Sequence, residues 1–221
     1  MKLIPTDLPE VLLVEPNVVA DERGWFMESF NAAHLNHALN ARGLPAAASF
    51  VQDNHSCSRA GVLRGLHYQL PPHAQGKLVR VVNGRAWDVA VDIRRNSPHF
   101  GRWAGVELSA DNHRQLWIPP GFAHGFLALE DDTHFLYKTT DVYAKQCERS
   151  IRWDDPTLAI AWPLSPGQPL QLAKKDAEAP RLEDAEVFEP WHADRRPNAA
   201  RTAWLPVDLP RWMRQPADLH A

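Results

Sequence analysis

Turn-forming residues interrupt this chain so often that most of it can form only short strands. Its 221 residues include 19 prolines and 11 glycines, and the segments between them alternate apolar and polar residues or cluster β-branched ones. Short strands separated by such turns are typical of a closed barrel or a jelly roll, and the length suits one main domain. The sequence therefore predicts an all-β fold.

The alternation of side chains indicates where the strands lie. The candidates are VLRGLHYQ (62–69), WAGVEL (103–108), RQLWIP (114–119), HGFLAL (124–129) and FLYKTTDVY (135–143). The segment KLVRVVNGRAWDVAVDI (77–93) predicts a β-hairpin. Asn83 and Gly84 lie at its centre, and this pair can supply the two positive φ angles of a type I′ turn.

One stretch near the start has helical rather than strand periodicity. We predict a helix from residue 32 to about residue 42, with Asn31 as its N-terminal cap. Leu35 and Leu39 share one face of this helix, and Gly43 suits the left-handed residue that follows a helix end. We expect the helix to pack on the outside of a sheet.

The character of the chain changes near its C-terminus, where closely spaced prolines prevent any long regular element. We predict a main domain over residues 1–182 and an irregular C-terminal extension over residues 183–221. A freely solvated tail would seldom carry large aromatic residues, so we expect the extension to pack on the barrel or on a partner subunit. Those residues are Trp191, Trp204 and Trp212.

Composition excludes several classes of partner. The formal net charge of −3 gives no general attraction to nucleic acid or to an anionic membrane, so any anionic ligand must be bound by local arginines and lysines. No apolar run reaches the roughly 18 residues that a membrane span needs. Cys57 and Cys147 form neither a CxxC pair nor a disulfide-rich pattern, which predicts a cytoplasmic protein.

Three histidines stand in segments that could form a site: His55 in QDNHSCS, His67 in VLRGLHYQ and His124 in PPGFAHGF. The last two resemble the two histidine positions of the cupin barrel. Metal-binding cupins carry an HxH motif with a glutamate shortly after it, whereas this chain has HYQ and no glutamate between Gln69 and Lys77. Two nitrogen ligands are too few for a transition metal, so we predict no metal.

Two polar residues lie in otherwise apolar strands. If side chains alternate, Lys77 shares a face with Val79 and Val81 and directs its ammonium into an apolar interior. Such burial of a charge is costly unless the charge is used, although a lysine at a barrel rim is the ordinary alternative. Tyr137 is the second such residue, and it too has an ordinary alternative as a structural strand tyrosine.

Further charged residues could serve a site. Arg23 and Arg64 could each bind phosphate oxygens through two parallel hydrogen bonds. Arg64 and His67 are three positions apart and lie out of phase on a straight strand, so they can share one site only if Gly65 permits a bulge. Asp176 could fix the tautomer and orientation of His67, although nothing in the spacing shows that the two meet.

Taken in order, eight segments of this chain resemble those of dTDP-4-dehydrorhamnose 3,5-epimerases. The segments are DERGWFMESF, FVQDNHS, VLRGLHYQ, QGKLVRVV, WDVAVDIRRNSPHFGRW, RQLWIPPGFAHGF, FLYKTTDVY and LAKKDAEAP. The resemblance covers about residues 1–182 and says nothing about the last forty or so. It implies a cupin-like jelly-roll barrel with a short N-terminal helix.

The same resemblance implies roles for particular residues. His67 is the expected general base, paired with Asp176, and Tyr137 is the expected acid on the opposite face of the sugar. Lys77 is expected near the C4 oxygen of the substrate. Further ligand contacts are implied for Arg23, Glu28, Gln52, Asn54, Arg64, His124, Glu148 and Lys175, with Asp88 as another polar residue of the site. Family members are homodimers that exchange N-terminal strands, so the partner subunit is expected to complete the nucleotide pocket.

The implied substrate is a dTDP-4-keto-6-deoxy sugar, and its chemistry suits these residue types. The protons at C3 and C5 are acidified by the neighbouring ketone, so inversion requires a base, an opposed acid and a cation for the enolate. The carbon skeleton is neither oxidised nor reduced, and no GxGxxG follows a strand, so we expect no cofactor.

Several alternatives remain open. Epimerisation at C3 or C5 alone would need the same residues, and the sequence does not separate the two outcomes. Gln69 argues against a 3,4-ketoisomerase and a metal-dependent cupin oxygenase, whereas a non-catalytic sugar-nucleotide binding module would not need Tyr137. Tyr143 would lie roughly 20 Å from Tyr137 on a straight strand, so both can reach one sugar only if the chain bends.

Overall fold

Fourteen strands and two α-helices make up the computed structural model, which describes residues 1–164, 167 and 169–189. The strands are β1 (Lys2–Pro5), β2 (Leu12–Glu15), β3 (Val18–Asp21), β4 (Gly24–Met27), β5 (Gln52–Ser58), β6 (Val62–Gln69), β7 (Lys77–Asn83), β8 (Arg85–Asp92), β9 (Trp103–Ser109), β10 (Gln115–Ile118), β11 (Phe122–Ala128), β12 (Thr133–Thr139), β13 (Glu148–Ser150) and β14 (Gln171–Leu172). The α-helices are α1 (Ala32–Asn40) and α2 (Lys174–Ala177), and a 3₁₀ turn spans Lys145–Cys147.

The strands form two large sheets and one small ribbon. The first sheet has the order β1-β2-β10-β7-β12-β5, and the second has the order β13-β6-β11-β8-β9. Strand β14 pairs in parallel with β6, and β3 and β4 form a separate antiparallel ribbon. Consecutive strands such as β5 and β6, β7 and β8, and β11 and β12 belong to opposite sheets. This alternation is the jelly-roll arrangement, and it confirms the predicted all-β, cupin-like fold.

Apolar side chains fill the space between the two sheets. Val79 and Phe135 come from the first sheet and Ala90 and Phe126 from the second, and all four are buried. The rings of Phe126 and Phe135 stack with their centroids 4.0 Å apart. These contacts join the sheets, so side chains from both can line one cavity.

The predicted hairpin over residues 77–93 is wrong. Strand β7 pairs with β10 and β12, whereas β8 pairs with β11 and β9. Gly84 has φ +72°, but Asn83 has no positive φ, and the turn carries the chain from one sheet to the other. A local turn signal does not specify which strand becomes the neighbour, because that choice depends on long-range packing.

The predicted helix is confirmed and ends two residues early. Asn31 Oδ1 accepts a hydrogen bond of 3.1 Å from the backbone N–H of His34, as an N-terminal cap should. Leu35 and Leu39 are buried against apolar residues on the outer face of the first sheet. Gly43 has φ +70° and allows the chain to turn away after the helix.

Strand β6 matches the predicted segment from end to end, but it is not regular. Gly65 has φ +135°, and the pairing register with β11 shifts between His124 and Phe126. A Cβ atom on Gly65 would lie 2.5 Å from the Cα of Gly125, which is closer than atoms approach. Only glycine therefore fits this crossing of β6 and β11.

The chain after α2 crosses the outer face of the second sheet, and we call residues 179–189 the C-terminal strap. Leu182, Val187 and Phe188 are buried there. Residues 183–189, the start of the predicted extension, thus pack on the barrel, while the division at residue 182 stays a prediction. The three tryptophans of the extension, Trp191, Trp204 and Trp212, lie outside the described residues. In the described part of the chain, no helix is long and apolar enough to cross a membrane.

Candidate active site

A cavity of about 570 Å³ opens between the two sheets. This volume suits a small-molecule ligand. Strands from both sheets and helix α2 line it, and most of the residues expected at a site lie on its wall. Those residues are Asn54, Arg64, His67, Lys77, His124, Tyr137, Glu148, Lys175 and Asp176.

The cavity wall holds a paired histidine and aspartate. His67 Nε2 lies 2.6 Å from Asp176 Oδ1, although the two residues are 109 positions apart in sequence. The side chain of Asp176 is almost completely buried, and its second oxygen lies 3.5 Å from the backbone nitrogen of Gly65. A carboxylate only accepts, so in the neutral imidazole Nε2 carries the hydrogen and Nδ1 keeps a lone pair. The pair therefore presents an imidazole that can take up a proton.

Lys77 is buried beside this pair. Its side chain shares the inner face of β7 with Val79 and Val81, and its Nζ donates a hydrogen bond of 3.2 Å to the carbonyl of His67. Among the described residues it forms no ion pair. Burial lowers the pKa of Lys77 to about 8, so the ammonium persists at neutral pH but is easily lost above it.

Tyr137 reaches the cavity from the opposite sheet. It lies on β12 of the first sheet, whereas His67 lies on β6 of the second, and both line the cavity. Burial raises the pKa of the Tyr137 hydroxyl, so it stays protonated at neutral pH. The cavity thus has a proton acceptor and a proton donor on facing walls.

A second histidine and aspartate pair lies in the same barrel. His124 Nε2 lies 2.8 Å from Asp88 Oδ2, and both side chains are buried. Burial lowers the pKa of His124 in spite of the neighbouring Asp88 carboxylate, so the ring is neutral. Asp88 holds the hydrogen on Nε2, which leaves Nδ1 of His124 as an acceptor.

Arg64 and His67 share the cavity for a local reason. The positive φ of Gly65 and the shift in register beside it bring both side chains to the same wall. The sequence indicated that Arg64 and His67 could share one site only if Gly65 permits a bulge, and this irregularity is that bulge. Arg64 Nε donates to Ser58 Oγ at 3.1 Å, and its guanidinium forms no ion pair within the described chain. It can therefore still bind an anion.

Three polar groups form a network at the cavity wall. Glu148 accepts hydrogen bonds from Lys175 Nζ at 2.9 Å and from the Tyr143 hydroxyl at 3.0 Å. Burial acts to raise the pKa of Glu148, but these hydrogen bonds outweigh it and hold the pKa below its usual value. Tyr143 lines the same cavity as Tyr137 because β12 ends at Thr139 and the chain then bends.

Four of the expected residues do not line the cavity: Arg23, Glu28, Gln52 and Asp88, of which Asp88 lies behind His124 as its hydrogen-bond partner. Arg23 lies on the turn of the β3–β4 ribbon with its side chain 85% exposed, and it pairs with Asp21. Glu28 is also exposed, and its carboxylate accepts hydrogen bonds from the cap residue Asn31 and from His34 of helix α1. Gln52 lies just outside the cavity and donates to Asn54 Oδ1 at 2.9 Å. Arg23 and Glu28 are therefore not brought to this cavity within one chain.

Sequence reasoning left out part of the wall. Tyr143 was expected there only if the chain bends after the strand, and no role was predicted for Phe126 or Phe135, which supply apolar surface. A signal for one of them was present, because Phe135 lies two residues before Tyr137 on the same strand and so faces the same side. Tyr143 had no such signal, because a bend separates it from the strand.

The described residues include no group of three or more histidine, cysteine or acidic side chains placed to hold a metal. Gln69 stands at the position where metal-binding cupins have the second histidine of their motif. Its side chain is hydrogen-bonded to backbone groups. Its amide nitrogen donates to the carbonyl of His73, and its amide oxygen accepts from the N–H of Ala144, both at 2.7 Å.

Comparison with known proteins gives one consistent picture. A family model described as dTDP-4-dehydrorhamnose 3,5-epimerase matches residues 5–184. The dTDP-4-dehydrorhamnose 3,5-epimerase of Shigella flexneri is 54% identical over 85% of this chain and 99% of its own length. That of Salmonella typhimurium is 51% identical over 86% of this chain and 100% of its own. A solved dTDP-6-deoxy-D-glucose-3,5-epimerase from Legionella pneumophila, in complex with dTDP-4-keto-L-rhamnose, superposes with a TM-score of 0.78 at 48% identity, covering 85% of this chain and 97% of that one.

Proposed function

Since this chain belongs to the dTDP-4-dehydrorhamnose 3,5-epimerase family, we propose that it inverts C3 and C5 of dTDP-4-keto-6-deoxy-D-glucose to give dTDP-4-keto-L-rhamnose. It is an isomerase that acts on a sugar nucleotide. The observation that carries the proposal is the placement of His67 and Tyr137 on facing sheets around one cavity, with Lys77 beside His67. Inversion needs such opposed groups, because the proton must leave one face of a carbon and return to the other.

The proposed reaction begins with proton removal. His67 Nδ1 takes the proton from the carbon next to the ketone, and the electron pair of that C–H bond moves to the C4 oxygen to give an enolate. Lys77 stabilises the negative charge with its buried ammonium, so the interaction is stronger than it would be in bulk solvent. Tyr137 then donates its hydroxyl proton to the opposite face of the carbon. Solvent restores the protonation of both groups, and the sequence repeats at the second carbon.

Asp176 supports the base without reacting itself. Its carboxylate holds the hydrogen of His67 on Nε2 and so directs the Nδ1 lone pair toward the substrate. The negative charge also stabilises the imidazolium that forms when His67 accepts a proton. Because Asp176 is almost completely buried, water does not compete for this contact.

The remaining groups are proposed to bind the substrate. Arg64 and Lys175 supply positive charge for the diphosphate. The guanidinium of Arg64 has no ion pair among the described residues and, although it donates to Ser58 and Cys57, keeps N–H groups that can bind phosphate oxygens. His124 is neutral, and its free Nδ1 can accept a hydrogen bond from a sugar hydroxyl. Asn54 and Glu148 contribute polar contacts on the cavity wall.

The function is tested by the configuration of the product. Purified protein is incubated with dTDP-4-keto-6-deoxy-D-glucose, and NMR coupling constants give the configuration at C3 and C5. Inversion at both carbons is expected. Inversion at one carbon would make the protein a single-centre epimerase, and an unchanged sugar that still binds would make it a binding module.

Replacing Lys77 with methionine should change the pH dependence of the rate. Because the pKa of Lys77 is about 8, kcat/KM of the wild type should fall as the pH rises through 8 and the ammonium is lost. Lys77→Met should lower kcat by about 10²- to 10³-fold, as removal of one such donor to an oxyanion does. The residual activity should show no fall near pH 8. Lys138→Met is the matched control, since the Lys138 ammonium pairs with Asp53 on the outside of β12. If the rate of Lys77→Met still falls near pH 8 as in the wild type, Lys77 is not the group that titrates there.

A homodimer is proposed to complete the site. The β3–β4 ribbon exposes Trp25 and Phe26, at 56% and 74%, and carries Arg23 at its turn. Apolar exposure of this kind marks an interaction surface, and family membership suggests that it reaches a second copy. Arg23 and Glu28 of one subunit would then line the nucleotide pocket of the other.

Mixing two inactive variants tests this arrangement. Arg23→Ala and His67→Asn should each be strongly impaired alone, but mixed dimers contain one site that has both native residues. Subunit exchange should therefore restore up to about a quarter of the wild-type rate in a two-fold dimer. A monomer in sedimentation, or no recovery on mixing, would contradict a site shared between subunits.

The proposed chemistry needs no cofactor and suits a reducing compartment. Every step moves a proton, so the oxidation level of the sugar never changes. Cys57 and Cys147 are both free thiols, which fits the cytoplasm. Cell fractionation checks this placement, and recovery of the protein outside the cytosolic fraction would contradict it.

A further inference from the structure

Neighbouring residues on β6 are both tied to the C-terminal part of the chain. His67 faces the cavity and pairs with Asp176 of α2. Tyr68 faces the opposite side of the sheet, where its hydroxyl donates a hydrogen bond of 2.6 Å to the carbonyl of Glu186 in the C-terminal strap. Strand β6 is thus held on its inner face by Asp176, the partner of the proposed base His67. On its outer face it is held by the C-terminal strap, which follows Asp176 in the sequence.

Helix α2 cannot hold Asp176 in place by its own stability. It has four residues and no side-chain cap at its N-terminus. Isolated helices of this length do not form in water, because the conformational free energy lost in ordering the first turn exceeds the gain from its few hydrogen bonds. The position of Asp176 therefore depends on the flanking segments. Before α2, the two-residue strand β14 pairs with Val62 and Leu63, and after α2 lies the strap.

The strap is fixed along its whole course over the second sheet. Near its start, the backbone N–H of Leu182 donates to buried Asp155 Oδ2 at 2.7 Å. At its centre, Glu186 accepts from Tyr68 through its carbonyl and from Arg149 Nε, at 2.7 Å, through its carboxylate. At its end, Phe188 exchanges backbone hydrogen bonds with the chain just beyond β8. The last two anchors lie past residue 184, where the family match ends.

We propose that Tyr68 is a positioning residue for epimerisation, which anchors the strap and so keeps Asp176 in contact with His67. This inference rests on the proposed function, in which the pair acts as the base. Tyr68 is 3% exposed, and burial raises the pKa of its hydroxyl, so it is a permanent donor. Without the hydroxyl, the carbonyl of Glu186 loses its hydrogen bond to Tyr68, and the strap loses this anchor to β6.

Tyr68→Phe keeps the ring and removes only this hydrogen bond. The variant should lower kcat by about tenfold and leave KM within about twofold, because substrate contacts are unchanged while the base is misaligned. Trp103→Phe is the matched control. Trp103 Nε1 donates to the carbonyl of Leu158 at 3.1 Å on the same outer face, so the lost hydrogen bond does not involve a strap residue and this variant should keep the wild-type kcat.

A double-mutant cycle separates positioning from general loosening of the fold. In an Asp176→Asn background the pair is already disrupted, so adding Tyr68→Phe should cause almost no further loss of kcat. If Tyr68→Phe keeps full kcat, or lowers kcat by the same factor in both backgrounds, the proposal is wrong. Thermal melting of each variant confirms that all assays are run on folded protein.

A readout without substrate keeps this inference distinct from the proposed function. The Nε2–H proton of His67, held by Asp176, can be followed by ¹H–¹⁵N NMR of labelled histidine. Tyr68→Phe should accelerate its exchange with water, and Trp103→Phe should not. Unchanged exchange in Tyr68→Phe would overturn the positioning role. A different pair of results would count against the proposed function instead. If exchange is faster in Tyr68→Phe but Asp176→Asn keeps full kcat, the pair of His67 and Asp176 is not the base.

Discussion

Replacing His67 with asparagine should lower kcat for epimerisation by about 10³-fold, which corresponds to about 4 kcal/mol in the activation barrier. Asparagine is close to histidine in size, and its amide N–H can still donate to Asp176. It cannot accept a proton at neutral pH, so the loss reports the base rather than the fold. The measurement is the initial rate of product formation from dTDP-4-keto-6-deoxy-D-glucose by NMR.

His55→Asn is the matched control for this variant. His55 also borders the cavity, but its Nε2 lies 3.0 Å from Nδ1 of His134 rather than next to a carboxylate. We expect this variant to retain most of the activity. Near-normal turnover in His67→Asn, or loss of turnover only in His55→Asn, would place the base elsewhere.

Replacing Tyr137 with phenylalanine should separate the two halves of the reaction. His67 and Lys77 remain, so the enolate can still form, but no group on the facing wall returns a proton. We expect the rate of inversion to fall by about 10²- to 10³-fold, while deuterium from D₂O continues to enter the unepimerised sugar from the side of the base. The measurement is the ratio of deuterium uptake to inverted product.

Tyr143→Phe provides the comparison for the acid. Its hydroxyl also borders the cavity but donates to Glu148, so it is engaged in the network there. We expect inversion to continue with a modest loss. An unchanged inversion rate in Tyr137→Phe would show that another group is the acid, and equal loss of exchange and inversion would show that Tyr137 is needed for proton removal.

Local signals in the sequence predicted local structure well. The helix begins directly after Asn31, where a side-chain cap is followed by a hydrophobic face, and both features are read from neighbouring residues. Strand β6 was predicted with the correct ends because its strand pattern is also read from neighbouring residues. The inward position of Lys77 followed from simple alternation with Val79 and Val81, since every second side chain of a strand faces the same way.

Long-range contacts were beyond the sequence signals. The Asn83-Gly84 turn does not join paired strands, because each strand finds its partners in a different sheet. The contact between His67 and Asp176 depends on how α2 is held over β6, which no spacing reveals. Tyr143 enters the cavity only because the chain bends after Thr139. Residue types thus indicated candidate groups for a site, and tertiary packing decided which of them line one cavity.

The central claim is that solvent-exchangeable groups on facing walls remove and return the protons. It is tested most directly by ¹H NMR of dTDP-4-keto-6-deoxy-D-glucose incubated with the wild-type protein in D₂O. We expect dTDP-4-keto-L-rhamnose with deuterium at both C3 and C5, because each incoming proton comes from the exchanged Tyr137 hydroxyl. Inverted product that keeps its original hydrogen at either carbon would contradict the mechanism.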